Sequence, residues 1–294
     1  DQNRPTPSGW IRLDVTAGSE ARDVQAIIQQ AGEELEIDVR MHYSGSVDMF
    51  LALKDDSFDS DVALPASSVW IDLGDAHARR VKNAQSIMRT PLILALKRSK
   101  AQELGWVDRD VTVAEILDAV SEGKLKFCMT SATQSNSGFT TYIAMLKALA
   151  GNPEVLTSED LEKTELQEGI TNLLSGVDRG SGSSGWLRDM FVEQFPRFDG
   201  MFIYESMAIA ANRGWTDKHG QHNPGLIEQG HEPLQVIYIK DGTGVADCTM
   251  GYVDKPGDPD NDAKKAAFAE LAKKLRTPQY QAMIVETGFR PAIS

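Results

Sequence analysis

Short apolar runs alternate with helical patterns along most of the chain. In its first part, three strand-like runs (9–15, 35–43 and the start of 60–70) each lead into a loop of small residues, after which a helical pattern begins. This alternation is typical of a mostly parallel α/β sheet. Ligands bind such sheets at the carboxyl ends of the strands, so these three loops are the first candidates for a binding site.

A second α/β unit follows the first. Thr112 and Glu115 have the spacing of a capping box, which predicts a helix that runs to about Glu122 and ends at Gly123. A new strand begins near Lys124, so we place the start of a second domain close to residue 100. The other predicted elements are strands at 90–97, 234–239 and 248–253, helices at 158–174, 184–195, 262–276 and 278–287, and a long loop between Trp215 and Pro233.

The segment from Lys126 to Gly138 is the most informative part of the sequence. A short strand there passes through hydroxyl and amide residues into a helix at 139–150. The unpaired N–H groups and the positive dipole end of that helix would lie beside small polar side chains, which suits a polar or anionic ligand. No nucleophile and base occur together in the segment. It therefore predicts a noncatalytic site that holds a ligand without transforming it.

Composition narrows the class of protein. Of the 294 residues, 41% are apolar and 25% are charged, which fits a globular protein of one large or two medium domains. No apolar run approaches the ~18 residues of a membrane span. The net charge of −13 opposes binding to nucleic acid and to anionic membranes, and an anionic ligand would have to be held by local dipoles. No signal-peptide pattern begins at Asp1, so we expect either a cytosolic chain or a mature or trimmed form of an exported one.

Residues Gly180–Gly185 match the glycine pattern of a dinucleotide-binding loop, and Glu205 lies twenty residues beyond them. That fingerprint requires a strand before its first glycine, whereas 166–177 has a helical pattern. A flexible or ligand-facing loop, in which Ser183 or Ser184 caps the next helix, is the better interpretation.

Three histidines leave two interpretations open. His219, His222 and His231 share one loop with Asp217 and Glu228. Imidazole and carboxylate groups bind zinc or copper, which would permit a metal-dependent enzyme, but none of the five residues is fixed on a predicted helix or strand. A surface loop is the simpler interpretation, and we predict no metal site and no cofactor.

Two pairs of residues also leave alternatives open. Cys128 and Cys248 fit no metal-binding spacing, so they are either two buried small side chains or, in an exported protein, a disulfide. Tyr204 and Glu205 precede a helical pattern at 206–211. There they would contact a ligand, or Glu205 would offset the helix dipole.

Taken together, these segments resemble the type II periplasmic solute-binding proteins, a two-lobed family that serves ABC importers and includes molybdate, sulfate and phosphate binders. The similarity is greatest to the branch in which such a domain precedes a von Willebrand A domain. It spans most of the chain, and the residues that carry it are Tyr43–Asp48, Asp61–Ser68, Pro91–Lys97, Thr130–Gly138, Tyr204–Ser206 and Gln281–Pro291.

The resemblance implies an α/β fold of two lobes, each a mixed, mostly parallel sheet flanked by helices, with two hinge crossovers. Lobe one would comprise 1–100 plus 234–294, and lobe two 101–233. The family binds its ligand in the cleft and closes on it. On that basis the expected ligand contacts are the hydroxyl groups of Ser19, Ser44, Ser46 and Ser67 from lobe one and of Thr133, Ser135, Ser137 and Tyr204 from lobe two.

The resemblance also implies a partner and a location. The ligand would be a small polar solute or an oxyanion, and the protein would act outside the cytoplasm with an ABC permease or an attached von Willebrand A domain. Residues 132–138 contain no cation, which favours hydroxyl and backbone donors as in molybdate or sulfate sites. Glu20, Asp48 and Glu205 would penalise a fully charged oxyanion, so a neutral, zwitterionic or cationic solute stays open.

Two other classes of function stay open as well. One is a protein-interaction domain whose cleft no longer binds a solute. The other is a metal-dependent enzyme that uses the histidines of the 219–231 loop. No nucleic acid and no direct membrane insertion are expected in any of these cases.

Overall fold

The computed structural model describes residues 4–217 and 219–292. The chain divides into two compact units. The first contains the residues up to Thr90, Thr216–Asn223 and the residues from Ala246 onward, and the second contains Pro91–Trp215 and Pro224–Val245. Each unit has a mixed sheet flanked by helices, which confirms the predicted fold class. Residues 1–3, 293 and 294, which the prediction assigned to lobe one, and 218, which it assigned to lobe two, lie outside the described residues.

The secondary structure follows the predicted alternation of strands and helices. The strands are β1 Ile11–Ala17, β2 Ile37–Tyr43, β3 Val62–Leu64, β4 Val81–Ser86, β5 Met88–Lys97, β6 Phe127–Thr130, β7 Val177–Ser181, β8 Gly200–Tyr204, β9 Trp215–Thr216, β10 His222–Asn223, β11 Leu234–Ile237, β12 Val245–Ala246, β13 Thr249–Val253 and β14 Arg290–Pro291. The α-helices are α1 Gln25–Glu33, α2 Ser46–Lys54, α3 Val69–Gly74, α4 Arg98–Glu103, α5 Val113–Ser121, α6 Asn136–Leu149, α7 Ser158–Leu161, α8 Thr164–Leu174, α9 Ser184–Glu193, α10 Glu205–Arg213, α11 Asn261–Leu275 and α12 Pro278–Glu286. Short 3-10 helices cover Ser19–Val24 and Phe195–Arg197.

The sheet of the first unit has the strand order β2-β1-β3-β13-β4. β1 pairs in parallel with both β2 and β3, and β13 is antiparallel to β3 and β4. One strand therefore runs opposite to the other four, which fits a mixed, mostly parallel sheet. A buried cluster of Met49, Leu53, Phe58, Ala63 and Val253 packs α2 against this sheet.

The sheet of the second unit has the strand order β11-β5-β8-β6-β7. β6 is parallel to β7 and β8, whereas β5 is antiparallel to β8 and β11. Its core includes the rings of Phe127 and Phe202, which meet edge to face with centroids 4.8 Å apart. Because β11 pairs with Leu94–Lys97 of β5, residues 234–245 pack in the second unit.

The capping box predicted at Thr112 is confirmed. The Thr112 hydroxyl accepts a hydrogen bond from Glu115 N at 3.2 Å, and the Glu115 carboxylate accepts one from Thr112 N at 2.8 Å. Arg109 also donates to this carboxylate, and together these hydrogen bonds lower the pKa of Glu115 to about 2. Within the described residues, no helix is long and apolar enough to cross a bilayer.

We expect the change Thr112→Ala to lower the free energy of unfolding by about 1 kcal/mol, because it leaves the N–H group of Glu115 without its cap. Urea unfolding measures the loss. Thr112→Ser keeps the capping oxygen and should stay within about 0.5 kcal/mol of the parent protein. Equal losses in the two variants would contradict a role for the cap.

Candidate functional site

In the first unit, the loops that follow β1, β2 and β3 meet at one edge of the sheet. Ser44 N donates to Ala17 O at 3.0 Å, which joins the end of β2 to the end of β1. Ala66 N, just after β3, donates to Ser46 Oγ at 3.1 Å. The parallel pairing of these strands brings their carboxyl ends to the same edge.

The four predicted ligand residues of the first unit lie in these loops or at the first residue of the helix that follows. Ser46 is the first residue of α2 and is buried, and its hydroxyl accepts from Ala66 N and keeps its O–H group as a donor. Ser67 Oγ accepts from Val69 N at 3.4 Å. Ser19, Ser44 and Ser67 are partly exposed, so their polar atoms are within reach of a solute.

A buried carboxylate also lies in the first of these loops. Glu20 is 4% exposed, and its side chain folds back over the backbone of Gly18, where a Cβ atom would lie 2.1 Å from Glu20 Oε1. Burial is the main cause that raises the pKa of Glu20 to about 7, and Asp23 adds to it, while the Glu20 backbone N–H and Arg22 act in the opposite direction. This carboxylate is therefore partly neutral near pH 7.

The sequence analysis missed the contribution of the segment before β13 to the same edge. Asp247 Oδ1 accepts from Ser68 N at 2.7 Å, and Cys248 N donates to Ala66 O at 2.9 Å. Cys248 has a positive φ of 33°, which is uncommon outside glycine. No disulfide joins Cys128 to Cys248; both are fully buried, as expected of two small apolar side chains, and they lie in different units. No sequence signal connects Asp247 to Ser68, 179 positions apart.

In the second unit, three helices begin where three neighbouring parallel strands end. β6, β7 and β8 lead into α6, α9 and α10, whose N-cap residues are Ser135, Ser183 and Tyr204. None of these three side chains makes a cap hydrogen bond to a backbone N–H group of its own helix. The N–H groups and dipoles of the three helix N-termini thus converge on one edge of the sheet.

Four buried hydroxyl groups form a cluster at this edge, which we call the hydroxyl cluster: Thr130, Ser135, Ser137 and Ser184. Ser137 Oγ lies 2.7 Å from Thr130 Oγ1 and 2.7 Å from Ser184 Oγ. Ser135 Oγ lies 3.3 Å from Ser137 Oγ and 3.4 Å from Ser184 Oγ. Because a hydroxyl group rotates and both donates and accepts, the cluster can direct its protons toward a ligand.

The remaining predicted residues of this unit divide into two cases. Tyr204 is 1% exposed, and its hydroxyl oxygen accepts a hydrogen bond from Asn136 Nδ2 at 2.7 Å, so it lies beside α6 and the cluster. Thr133 is exposed and bonds Ser131 Oγ instead. The structure therefore brings Ser135, Ser137 and Tyr204 to one place and leaves Thr133 at the surface.

Two features near the cluster were not predicted from the sequence: the burial of Arg188 and the hydrogen-bond partner of Glu205. Arg188 lies four residues after Ser184 and is fully buried, with its guanidinium 4.0 Å from the centre of the Trp215 ring and 3.1 Å from Asp189 Oδ1. Glu205, at the start of α10, accepts a hydrogen bond from the Tyr238 hydroxyl. Arginine side chains are usually exposed, so the sequence around Arg188 did not indicate that this residue is buried.

The prediction that no strand precedes Gly180 is wrong. β7 covers Val177–Ser181 and pairs with β6, so a strand, a glycine-rich loop and a helix do follow one another here. Gly180 itself lies within the strand rather than in the turn after it. Glu205 follows β8, and β6 separates β8 from β7 in the sheet. Dinucleotide sites use an acidic residue on the strand next to the glycine-rich loop. Glu205 does not fill that role, because its strand is not adjacent to β7.

In the loop that contains the three histidines, the Asp217 side chain bonds backbone groups of the same loop. Asp217 Oδ1 accepts from His219 N at 2.8 Å and from Gln221 N at 2.9 Å, and the His231 ring packs on Phe195 at 4.9 Å. Among residues 4–217 and 219–292, no group of three or more His, Cys, Asp or Glu side chains is placed to hold a metal ion.

Solved structures of solute-binding proteins share this fold. The periplasmic binding protein AfuA from Actinobacillus pleuropneumoniae, with fructose-6-phosphate bound, has a TM-score of 0.64 at 11% identity over 96% of this chain and 85% of that one. The ferric binding protein from Campylobacter jejuni has a TM-score of 0.64 at 12% identity, with coverage of 95% and 86%. Iron-bound HitA from Pseudomonas aeruginosa has a TM-score of 0.64 at 14% identity, with coverage of 96% and 86%.

Sequence comparison gives the family. No curated protein sequence matches the chain significantly. Residues 13–290, however, match a family described as bacterial extracellular solute-binding protein. This match spans both units of the fold and both groups of strand-end loops. The chain is a member of the bacterial extracellular solute-binding protein family.

Proposed function

We propose that this protein binds a small polar solute or oxyanion without transforming it, through hydroxyl groups at the ends of the parallel strands. The observation that carries the proposal is the hydroxyl cluster, where Ser137 is 1% exposed and lies 2.7 Å from two other hydroxyl oxygens. It lies where three helix N-termini meet, so neutral donors and backbone N–H groups are available to an acceptor atom of the solute.

The charges near these loops limit the kind of solute. No cation occurs in residues 132–138, and Arg188 is stacked on Trp215 and paired with Asp189. Glu205 adds a buried carboxylate at the start of α10. We therefore favour recognition by hydrogen bonds over recognition by opposite charge, and a solute with several acceptor oxygens fits best.

The same proposal extends to location and partners. Membership of an extracellular solute-binding family supports action outside the cytoplasm and delivery of the solute to the permease of an ABC importer. Ligand contacts made mainly in a closed form would shift the population toward that form, and the permease would read this change. The sequence also resembles domains that precede von Willebrand A domains. An attached von Willebrand A domain is therefore an alternative partner that would respond to the bound form.

A ligand screen by thermal and urea unfolding tests the proposal. The panel contains molybdate, sulfate, phosphate and fructose 6-phosphate as oxyanions, glucose as a neutral polyol, and ferric ion. We expect one class to stabilise the protein, with a gain of about 2.7 kcal/mol when its concentration is one hundred times Kd. Ser137→Ala should weaken that ligand at least tenfold, because it removes one buried hydroxyl donor.

Ser175→Ala is the matched control. It also removes one serine hydroxyl from the second unit, but Ser175 is exposed and its Oγ donates to Asn172 O at 2.6 Å, at the end of α8. The affinity of this variant should equal that of the parent protein. If no solute of any class stabilises the parent protein, solute binding is excluded for the panel and the protein-interaction domain becomes the better account.

A further inference from the structure

The second unit contains an open pocket of about 590 Å³ at the ends of β6 and β7. Its floor is apolar and comes from four elements: Met129 of β6, Tyr142 of α6, Leu174 of α8 and Val177 of β7. Small-molecule sites in proteins usually measure roughly 300–1,000 Å³, have mostly apolar walls and carry a few polar groups. The pocket has the size and the kind of wall that such sites share.

This pocket is separate from the hydroxyl cluster. None of the eight residues predicted to contact the solute lines it. Thr130 belongs to both, but its hydroxyl group is already engaged with Ser137 Oγ at 2.7 Å. The pocket lies toward β7, the last strand of the sheet, whereas the cluster extends toward Ser184 and Tyr204. A molecule in the pocket would therefore make different contacts from a solute at the cluster.

The rim of the pocket is polar but uncharged. Ser131 and Ser181 contribute hydroxyl groups, whose local partners are Thr133 Oγ1 at 3.0 Å and Ser183 O at 3.2 Å. Gln134 contributes an amide that both donates and accepts. The Gln134 side chain reaches across the mouth to Gly182, where a Cβ atom would lie 3.3 Å from Gln134 Oε1. None of the described residues that line the pocket carries a charge.

We propose that this pocket is a second binding site, for an uncharged molecule that has an apolar ring and one or two hydrogen-bonding groups. The ring would lie on Met129, Tyr142, Leu174 and Val177, since thioether and aromatic side chains pack well on flat rings. The polar edge would face Ser131, Gln134 and Ser181. An ion is disfavoured because, among the described lining residues, no opposite charge would offset its desolvation.

The test uses benzamide and benzyl alcohol as probes, with benzoate and benzylammonium as charged analogues of the same size. Binding is followed by amide shifts in two-dimensional NMR spectra of the whole chain. We expect the neutral probes to bind saturably at millimolar concentrations, as is usual for molecules this small, and to shift the amides of Ser131, Gly180 and Gly182. The charged analogues should bind at least tenfold more weakly.

Two variants that fill the pocket complete the test. Gly180 is not in the left-handed backbone region, and a Cβ there would meet only Met129 O at 3.7 Å, an ordinary contact. Gly180→Leu should therefore fold normally and weaken benzamide at least tenfold. Gly182→Leu fills the pocket from the loop and should act in the same way, since only the flexible end of Gln134 must move. Gly257→Leu is the control, because a Cβ at this exposed turn in the first unit contacts nothing within 4 Å.

The outcomes separate cleanly. Loss of benzamide binding in both filled variants, with normal binding in Gly257→Leu, supports the site. Equal binding of benzoate and benzamide overturns the chemical class, and normal benzamide binding in the filled variants overturns the location. Absence of saturable binding by both neutral probes overturns the proposal as a whole. The solute screen uses other ligands and other variants, so either proposal can fail while the other stands.

Discussion

Gly138→Ala should lower the free energy of unfolding by about 2–3 kcal/mol and displace the hydroxyl cluster. Gly138 lies in the first turn of α6, and a Cβ atom there would come 2.3 Å from Thr130 O and 2.7 Å from Ser131 C. Both are backbone atoms at the end of β6, so neither can rotate away. Overpacking of this kind costs about 1–3 kcal/mol and sometimes more. The change should also weaken solute binding, because α6 carries Ser137 and begins just after Ser135.

The sign of the change in stability distinguishes the backbone clash from helix propensity. Alanine is favoured over glycine inside a helix by about 1 kcal/mol, so propensity alone predicts a more stable protein. Gly169→Ala in α8 is the matched control: its Cβ would lie 3.2 Å from Leu149 Cδ1, at the movable end of a side chain. Urea unfolding should show a loss for Gly138→Ala and no loss or a small gain for Gly169→Ala. Similar gains in both variants would mean that α6 does not approach β6 as closely as described.

The elements that position the sites could be predicted where local chemistry decides them. The capping box at Thr112 and the strand, polar turn and helix from Lys126 onward depend on neighbouring residues, and both are found in the structure. The meeting of Ala17, Ser44 and Ala66 at one edge also follows from parallel pairing, which apolar runs indicate.

Two edge strands, β4 and β7, were missed because they lack an apolar pattern. β7 has the sequence Val-Asp-Arg-Gly-Ser and pairs on one side only, with β6. β4, with Val-Lys-Asn-Ala-Gln-Ser, likewise ends the sheet of the first unit. Polar residues protect such edges from pairing with other chains, and they also remove the alternation that identifies a strand. The helical pattern before Gly176 therefore extended, in the prediction, into β7.

Side-chain contacts between distant residues could not be predicted from the sequence. Ser137 bonds Ser184 in the hydroxyl cluster, Asp247 accepts a hydrogen bond from Ser68 N, and the Tyr238 hydroxyl donates to Glu205. Each residue type is common at turns or surfaces, so only the fold brings the partners together. The same reason explains Arg188, whose burial depends on the Trp215 ring 4.0 Å away. Thr133 shows the converse, since a hydroxyl residue in the expected turn faces away from the cluster.

Glu20 should make the stability of the protein fall as the pH rises from about 4.5 to about 7. Burial is the main cause that raises the pKa of Glu20 from its ordinary value of 4.5 to about 7. Between these values the native state binds more protons than the unfolded state, so the free energy of unfolding decreases with pH. Below about 4.5 the contribution is constant, and above about 7 the full penalty is present. Each pKa unit corresponds to about 1.4 kcal/mol, so the total is about 3 kcal/mol.

The groups around Glu20 are consistent with a raised pKa for its carboxyl group. Arg22 and Asp23 on the same 3-10 helix act in opposite directions on the pKa of Glu20. Glu20 adds to the rise in the pKa of both Tyr43 and Cys248, for which burial is the main cause. The Tyr43 hydroxyl donates to Gln25 Oε1 at 2.7 Å. Burial therefore outweighs the effect of the Arg22 cation, and neutralising Glu20 should relieve the penalty.

Glu20→Gln isolates this effect, because it keeps the shape of the side chain and removes its titration. Urea unfolding at pH values from 4.5 to 8 should show the variant gaining about 3 kcal/mol over the parent protein across that range. Glu270→Gln is the control, since it removes an exposed carboxylate of α11 and should leave the pH profile of the parent unchanged. Parallel profiles for Glu20→Gln and the parent protein would show that Glu20 is ionised in the native state throughout the range. Its carboxylate would then oppose an anionic solute at every pH tested, which would move the expected ligand toward neutral or cationic solutes.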